Sequence, residues 1–413
     1  MSVYVRNIVL KYQRNERLFS QILINTTRRN DLQYVPNVRF MVTRKAPPAK
    51  SVPWKKYTKL VALGFGIGAV VGGGYMYELY KKVTTPVANP SEGGDYSLKE
   101  APPAFKPARS IQSPTDTTGF KLTLYQYQTC PFCCKVRAFL DYYGFSYDVI
   151  EVNSVTRAQT RWTTYRKVPF IVIEIPNSDV ILQLKDSSMI ISVLQSFLHN
   201  KSETLTSLVK CYPSIAYTNE DGDKRIEIMN RYFLMYGQHP PGRSKEDIVD
   251  ERKWRKWVDD VLVHVLSPNV YRTPQESLQA FKWFCKVGNW EEHFAKWEQL
   301  LVVYVGAAAM FFIGKNLKRR HQLKDDVRES FYEEMNVWLK ALKKKGTKFM
   351  GGEEPNLSDL AVYGVLTAVE GCDAFEDLKN NTKVESWFSS MKETVKFHGG
   401  CSLIAQRVNV ADA

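Results

Sequence analysis

The segment from Leu122 to Gly144, LTLYQYQTCPFCCKVRAFLDYYG, decides the fold of this 413-residue chain. Its first six residues are mainly apolar and aromatic, which favours a β-strand. After the Cys-Pro-Phe-Cys run, apolar residues recur at helical spacing until Gly144, which predicts a helix that ends at this glycine. The run from Cys130 to Cys133 therefore lies at a strand-to-helix junction.

Cys130 is predicted to be a reactive thiol. At the first turn of a helix a cysteine faces free backbone N–H groups and the positive end of the helix dipole, which favour the thiolate. A bare C-x-x-C is also compatible with half of a zinc site or with two inert packing cysteines. A zinc site needs a second pair at suitable spacing, and beyond Cys134 the remaining cysteines are isolated. We therefore predict a reactive dithiol of Cys130 and Cys133 and no metal site.

The residues after Gly144 continue the alternation of strands and helices. Residues 146–152, 167–173 and 180–184 have the pattern of strands, and residues 156–162 are compatible with a helix. Asp186 then begins a capping sequence that leads into another helix. This order is typical of a thioredoxin-like α/β domain, which we predict over residues 120–200.

In that fold the proline of Val168-Pro169 is cis and lies against the reactive cysteine, whereas the local sequence alone favours a trans proline on an edge strand. The backbone of Val168 could then pair with an extended peptide such as glutathione. Asp186 and Ser187, at a helix N-terminus, could hold a carboxylate and the glutathione amine, although both residues are equally suited to a simple N-cap.

The chain from residue 201 to 413 is helical in pattern. Apolar residues recur at three- and four-residue spacings around Trp254 and again around Trp338. Asn356, with Asp359 three residues later, predicts the capped start of a late helix. A thioredoxin-like domain followed by an all-α domain resembles the glutathione transferase architecture.

Six stretches narrow the resemblance further, and they lie at residues 125–140, 165–169, 184–192, 254–257, 264–274 and 349–366. In these stretches the chain resembles the membrane-associated prostaglandin E synthase 2 family. The match extends over about residues 120–395. The Ser-Pro-Asn-Val-Tyr-Arg-Thr-Pro run that begins at Ser267 is its most specific part, because Cys-Pro-Phe-Cys is shared with glutaredoxins.

This resemblance implies an isomerase that converts the endoperoxide prostaglandin H2 into prostaglandin E2. Cys130 would be the catalytic thiolate and Cys133 its supporting thiol. Tyr127 matches the family's active-site tyrosine and would donate a hydrogen bond, whereas its residue type alone fits a half-buried strand aromatic equally well. Glutathione is the expected cofactor, and a homodimer is expected from the glutathione transferase-like domain.

The family resemblance also implies haem, bound reversibly and without covalent attachment because the chain lacks C-x-x-C-H. The candidate haem contacts are His264, Arg319 and Arg320. By residue type alone they fit a packing histidine and a solvated helix end better.

Two other functions use the same residues. A glutathione-dependent thiol–disulfide oxidoreductase would need the same cysteines, Pro169 and glutathione site, but it would consume reducing equivalents. A membrane-tethered scaffold without activity would need none of them, and the intact Cys130, Tyr127 and Asp186 count against it.

The N-terminal region predicts a membrane anchor. Residues 1–59 hold 13 Lys or Arg and two acidic residues, which is typical of a transit peptide, whereas the remaining chain is nearly neutral, so no nucleic-acid surface is expected. Residues 60–77 are uncharged and just long enough to form a single-pass helix. The proline-rich residues 83–119 are predicted to be an unstructured linker. The leader favours mitochondria and the family resemblance favours the Golgi membrane, with a processed cytoplasmic form as a further option.

Overall fold

The computed structural model describes residues 96–218, 222, 224–237 and 243–407. The predicted leader at residues 1–59 and the predicted membrane helix at residues 60–77 lie outside the described residues.

A six-stranded sheet forms the first half of the described chain. Its strands are β1 (Ser97–Leu98), β2 (Arg109–Ile111), β3 (Lys121–Gln126), β4 (Tyr147–Glu151), β5 (Phe170–Glu174) and β6 (Ile181–Lys185). They lie in the order β1-β6-β5-β3-β4-β2, and only β3 and β4 are parallel. Helices α1 (Pro131–Tyr143) and α2 (Ser187–His199) complete the predicted thioredoxin-like α/β domain. Gly144 ends α1 with φ 72°, a left-handed conformation that suits glycine.

The predicted linker needs correction between residues 96 and 119. Strand β2 pairs with β4, and β1 pairs with β6, so two edge strands precede residue 120. Tyr96 is buried, and its hydroxyl donates a hydrogen bond to the carbonyl of Tyr212 at 2.6 Å. Pro102, Pro103 and Pro107 lie in the connection between β1 and β2 and not inside either strand. This proline-rich connection made the two short strands look like part of a linker.

The predicted helix at residues 156–162 is reduced to one 3₁₀ turn, Ala158–Thr160. Arg157 adopts a left-handed conformation with φ 49°, which interrupts any regular helix there.

The second half of the described chain is largely helical. Its helices are α3 (Leu205–Val209), α4 (Lys245–Trp257), α5 (Val263–Val270), α6 (Pro274–Val287), α7 (Trp290–His293), α8 (Lys296–Leu300), α9 (Ala307–Arg320), α10 (Val327–Lys345), α11 (Leu357–Thr367), α12 (Asp373–Asn381), α13 (Val384–Lys396) and α14 (Cys401–Ala405). A π-helical turn joins α4 to α5 at Val258–Leu262, and another joins α8 to α9 at Leu301–Gly306. The predicted capping box of Asn356 and Asp359 is present at the start of α11.

The prediction of an all-α second domain was wrong at one place. Strands β7 (Ser214–Thr218) and β8 (Lys224–Ile228) form an antiparallel hairpin after α3. The exposed Ile215, Tyr217 and Ile226 show that this hairpin does not bury an apolar face. Because its strands are only five residues long and bury no such face, they lacked a strong alternating signal.

A buried ion pair joins the α/β domain to the helical region. The Lys135 ammonium, on α1, lies 2.5 Å from the Asp259 carboxylate in the π-helical turn between α4 and α5. The Ser188 hydroxyl, in the first turn of α2, donates to the second Asp259 oxygen at 2.6 Å, and the Tyr232 hydroxyl donates to that oxygen at 2.9 Å. Arg255 adds a bond to the Ser188 carbonyl at 3.1 Å. Both helices that begin at the sheet edge are therefore fixed to the helical region.

Helix α11 packs directly on α1 at a glycine. A Cβ atom on Gly364 would lie 2.5 Å from the Lys135 Cα and 2.9 Å from the Cys134 carbonyl oxygen. Only glycine allows the two helix backbones to approach this closely. This contact fixes the position of α1 along α11. It lies within one helical turn of the Cys-Pro-Phe-Cys run.

Replacing Asp259 with Asn should lower the free energy of unfolding by about 3–5 kcal/mol, because the Lys135 ammonium is then buried without its counter-ion. Asp260→Asn is the matched control. Its exposed pair with Lys256 should contribute at most about 1 kcal/mol. Urea unfolding at pH 7 measures both variants.

Burial opposes the charged form of Asp259, but the Lys135 ammonium and the hydrogen bonds from Lys135, Ser188 and Tyr232 together outweigh it and lower the pKa of Asp259 below its ordinary value. This stabilisation should therefore be present above the unfolded-state pKa of about 4 and be lost as the pH falls through the lower folded-state pKa. Equal effects of the two Asn variants would contradict the ion pair's role.

Candidate active site

Strand register brings the predicted site residues to one edge of the sheet. Tyr125 on β3 lies opposite Phe170 on β5, and Phe170 in turn lies opposite Lys185 on β6. The residues that follow β3, those that precede β5 and those that follow β6 therefore meet at this edge. The Tyr125 and Phe170 rings stack with their centroids 4.4 Å apart, which supports the register between β3 and β5. Cys130, Pro169 and Asp186 are brought together in this way.

The loop before Cys130 is held by several hydrogen bonds. The Gln128 amide donates to the buried Glu151 carboxylate at 2.5 Å, and Arg137 donates to the Gln128 carbonyl at 2.7 Å. Cys134 is buried, and its thiol donates to the same carbonyl at 3.3 Å. Cys130 follows as the N-cap residue of α1, with extended backbone angles and a half-buried side chain. The loop thus points the Cys130 sulfur across the helix N-terminus.

The two thiols of the motif have opposite pKa shifts. A hydrogen bond from the Cys133 thiol lowers the pKa of Cys130, and the backbone amides of Cys133 and Phe132 and the charge of Arg137 lower it further against burial. Burial raises the pKa of Cys133, and its donation to Cys130 raises it again. Cys130 is therefore the more acidic thiol of the pair, and Cys133 the less acidic one.

The Tyr127 side chain lies close to both sulfurs. Burial raises the pKa of Tyr127 against the opposing charge of Arg157, and negative charge on Cys133 or Cys130 adds to the rise. The hydroxyl is therefore protonated at neutral pH and available as a donor. The Cys130 amide bonds to the Tyr127 carbonyl at 3.1 Å, which fixes the spacing between the two residues.

Two features expected of a glutathione site occur within residues 168–187, a cis proline before a strand and a capped helix N-terminus. The Val168–Pro169 peptide bond is cis, as the fold predicts. Asp186, with φ 68°, caps α2 through one carboxylate oxygen, which accepts from the amides of Ser188 and Met189. Ser187 follows as the first residue of α2 and is buried.

Three residues at this site were missed by the sequence analysis. Arg231 lies 3.7 Å from the second Asp186 oxygen, and the Asp186 amide donates to the Tyr165 hydroxyl. Burial raises the pKa of Tyr165, and charge on Asp186 and on the two motif cysteines raises it further. Tyr271 lies at the end of α5 in the helical region, and negative charge on Cys130 contributes to its raised pKa, after burial and charge on Cys372. Tyr165 and Tyr271 lie within stretches quoted for the family resemblance, but no local pattern marked them.

The candidate haem contacts form a separate cluster. The exposed His264 stacks on His321 with ring centroids 4.3 Å apart, and Arg319 and Arg320 are exposed in the last turn of α9. Burial lowers the pKa of His321, and His264 and Arg320 lower it further. Among the described residues no recorded contact of this cluster involves the motif cysteines. Haem binding stays a prediction, and no catalytic step is derived from it.

The chain was compared with known proteins. A glutaredoxin family model matches residues 122–175. A prostaglandin E synthase 2 from Danio rerio is 45% identical over 284 residues, which cover 68% of this chain and 72% of that protein. One from Mus musculus is 44% identical over 283 residues, with the same coverage.

The chain belongs to the prostaglandin E synthase 2 family. The prediction that it is an enzyme of this family is confirmed. Among solved structures, glutathione transferase F7 from Populus trichocarpa matches with a TM-score of 0.37 and 11% identity, over 68% of this chain and 99% of that one. The glutaredoxin match lies within the α/β domain and includes the Cys-Pro-Phe-Cys run.

Alkylation rates test the assignment of the two thiols in this family member. Cys130→Ser should remove the thiol that reacts fastest below pH 8 or so. Cys133→Ala should raise the pH at which that thiol reacts, because Cys130 loses its hydrogen-bond donor. Cys133→Ser keeps a donor and serves as the matched control. The exposed Cys211 is present in every variant, so its reaction cancels in the comparison. Loss of the fast thiol in Cys133→Ala but not in Cys130→Ser would reverse the assignment.

Proposed function

We propose that this enzyme isomerises prostaglandin H2 to prostaglandin E2 at the Cys130 thiolate. Its family membership supports the reaction, and the hydrogen bond from the Cys133 thiol to Cys130 carries the mechanism. An endoperoxide has a weak O–O bond that a soft thiolate attacks, and the lowered pKa of the half-buried Cys130 favours its thiolate form.

The atoms balance without an outside reductant. The Cys130 sulfur bonds to the peroxide oxygen on the ring carbon that becomes the ketone, and the O–O electron pair passes to the other oxygen. Tyr127 donates its proton to that oxygen, which becomes the hydroxyl of the product. The ring carbon then loses its hydrogen to the Tyr127 phenolate, whose raised pKa makes it an effective base. The C–H electrons form the carbonyl, the S–O bond breaks and the Cys130 thiolate is restored.

Glutathione fits the neighbouring edge of the site in this proposal. Its extended backbone would pair with Val168, and its ammonium would meet the second oxygen of Asp186, which Arg231 also approaches. Arg231 and the N-terminal amides of α2 at Ser187 would receive its carboxylates. Bound there, glutathione would supply a thiol to the same edge of the sheet as Cys130.

Two further parts of the proposal rest on the sequence. Residues 60–77 attach the enzyme to a membrane, and the helical region forms a homodimer. The glutaredoxin-like oxidoreductase remains the second candidate activity, since the Cys130–Cys133 pair and the glutaredoxin family match favour it.

Turnover of prostaglandin H2 by the full chain separates these activities. Cys130→Ser should reduce prostaglandin E2 formation to the uncatalysed rate, and Tyr127→Phe should lower kcat by about 100-fold because proton transfer is lost. Tyr217→Phe, on the exposed hairpin, is the control and should be unchanged. Isomerisation should consume no NADPH in a glutathione reductase-coupled assay. Rapid NADPH consumption with a disulfide substrate, and unchanged prostaglandin E2 formation in Cys130→Ser, would favour the oxidoreductase.

Calorimetry with glutathione tests the cofactor site separately. Asp186→Asn keeps a good N-cap residue but removes the charge, so the Kd should rise about 10- to 100-fold through loss of a charge-assisted hydrogen bond. Asp179→Asn, on the turn before β6, should leave the Kd unchanged. A Kd that does not respond to Asp186→Asn would place glutathione elsewhere without affecting the assignment of Cys130.

A further inference from the structure

A network of polar side chains fixes the loop between β3 and the Cys-Pro-Phe-Cys run to strand β4. Glu151, the last residue of β4, is buried. One of its carboxylate oxygens accepts a hydrogen bond from the Gln128 amide at 2.5 Å, and the other accepts from the Gln126 side chain at 3.0 Å. These two contacts lie on either side of Tyr127 in the chain, so the loop is attached to β4 both before and after that residue.

Arg137, on α1, binds the same two loop residues. One guanidinium nitrogen donates to the Gln126 side-chain oxygen, and the other donates to the Gln128 carbonyl at 2.7 Å. The second nitrogen also lies 3.0 Å from the Cys134 sulfur, whose thiol donates to that carbonyl at 3.3 Å. Because the guanidinium group is planar and rigid, its two nitrogens hold their acceptors at a fixed separation. The loop is therefore fixed to the helix that follows the motif.

The Gln126 amide connects Arg137 to Glu151. Gln126 is buried, with its oxygen toward the guanidinium and its nitrogen toward the carboxylate. The reverse orientation would place N–H groups against the cation and an oxygen against the anion. The amide therefore has one satisfied orientation, and the two charged groups act on the loop together.

No carboxylate neutralises the charge of Arg137 directly. Its hydrogen-bond partners are a side-chain amide, a backbone carbonyl and a thiol, all uncharged. Within the part of the chain that the structure describes, Arg137 forms no ion pair. The titratable groups that act on it or on Arg109 beside it come from α1 and β4, and they are Cys133, Cys134, Asp141, Tyr147 and Glu151.

The charge of Arg137 acts on the reactive thiol. The hydrogen bond from Cys133 contributes most to the lowered pKa of Cys130, and Arg137 adds to it. The other titratable groups that respond to charge on Cys130 are uncharged thiols and phenols, namely Tyr127, Cys133, Cys134, Tyr165 and Tyr271. Arg137 therefore supplies positive charge to a group of otherwise neutral side chains.

A purely structural network would not need this charge. Burying a guanidinium costs free energy that uncharged partners repay only in part, and a neutral side chain of similar size would fill the same space at lower cost. The thiolate of Cys130 is a negative charge that the reaction requires nearby. The arrangement is thus better explained by the chemistry at Cys130 than by packing.

We propose that Arg137 is a positioning residue for the reaction at Cys130. It holds Gln126 and Gln128 so that Tyr127 and Cys130 keep a fixed spacing, and its charge stabilises the thiolate. Arg137 acts through these residues and not by contact with the substrate. This role rests on the proposed function, in which the phenol and the sulfur must reach the same peroxide.

The pH dependence of alkylation of the full chain tests the role of the charge. Arg137→Gln should raise the midpoint for the fast-reacting thiol by about half a pH unit, so its rate below the midpoint should fall about threefold. Arg137→Lys keeps the charge and should leave the midpoint unchanged. Lys121→Gln is the matched control, because it removes a positive charge at the exposed start of β3 and should also leave the midpoint unchanged. The signal that remains in Cys130→Ser is subtracted from each profile.

Turnover of prostaglandin H2 tests the role of the hydrogen bonds. A lysine cannot bind both acceptors at once, so Arg137→Lys should lower kcat about 10- to 100-fold through displacement of the loop. The KM should be unchanged, because Arg137 does not bind the substrate. Since the lysine keeps the positive charge, this comparison stands even if Arg137→Gln does not fold.

An unchanged alkylation midpoint in a folded Arg137→Gln variant would overturn the proposal. A wild-type kcat in Arg137→Lys would overturn it as well, and either result would leave Arg137 with a structural role alone. The alkylation profile needs no prostaglandin. Failure of the proposed function would be seen separately, as unchanged prostaglandin E2 formation in Cys130→Ser.

Discussion

The buried ion pair between Lys135 and Asp259 is the constraint on which the rest of the structure depends. Burying an ammonium group costs several kcal/mol unless a counter-ion and hydrogen bonds accompany it. Lys135 is 1% exposed, and both its partners, Asp259 and the Ser188 hydroxyl, come from other elements. The α/β domain and the helical region must therefore meet in one arrangement, because any slippage would leave a buried charge unpaired.

That arrangement also sets the geometry of the site. Lys135 lies in the second turn of α1 and Ser188 in the first turn of α2, the two helices whose N-termini face the sheet edge. Gly364 brings α11 against the same turn of α1. Cys130 and Asp186, which cap these helices, are thus held relative to each other by contacts made behind them. Preorganisation of this kind is what a thiolate nucleophile beside a cofactor site requires.

Within the motif, the chemistry follows from one shared hydrogen bond. Two thiols three residues apart have opposite pKa shifts, because the Cys133 thiol donates a hydrogen bond that lowers the pKa of Cys130 and burial raises the pKa of Cys133. The helix N-terminus favours the same outcome through the amides of Phe132 and Cys133. The asymmetry therefore arises from the shared hydrogen bond and the burial of Cys133, and the sequence motif alone would serve a redox enzyme equally well.

The sequence by itself determined the elements with strong local signals. The strand before Cys130, the helix that ends at Gly144, the cap at Asp186 and the capping box at Asn356 each depend on a few neighbouring residues, and each is present. Only the tertiary structure decided the partners of Lys135, the approach of Arg231 to Asp186 and the edge strands before residue 120. These contacts join residues tens to hundreds of positions apart, and a periodicity or a cap carries no information about which distant segment will cover it.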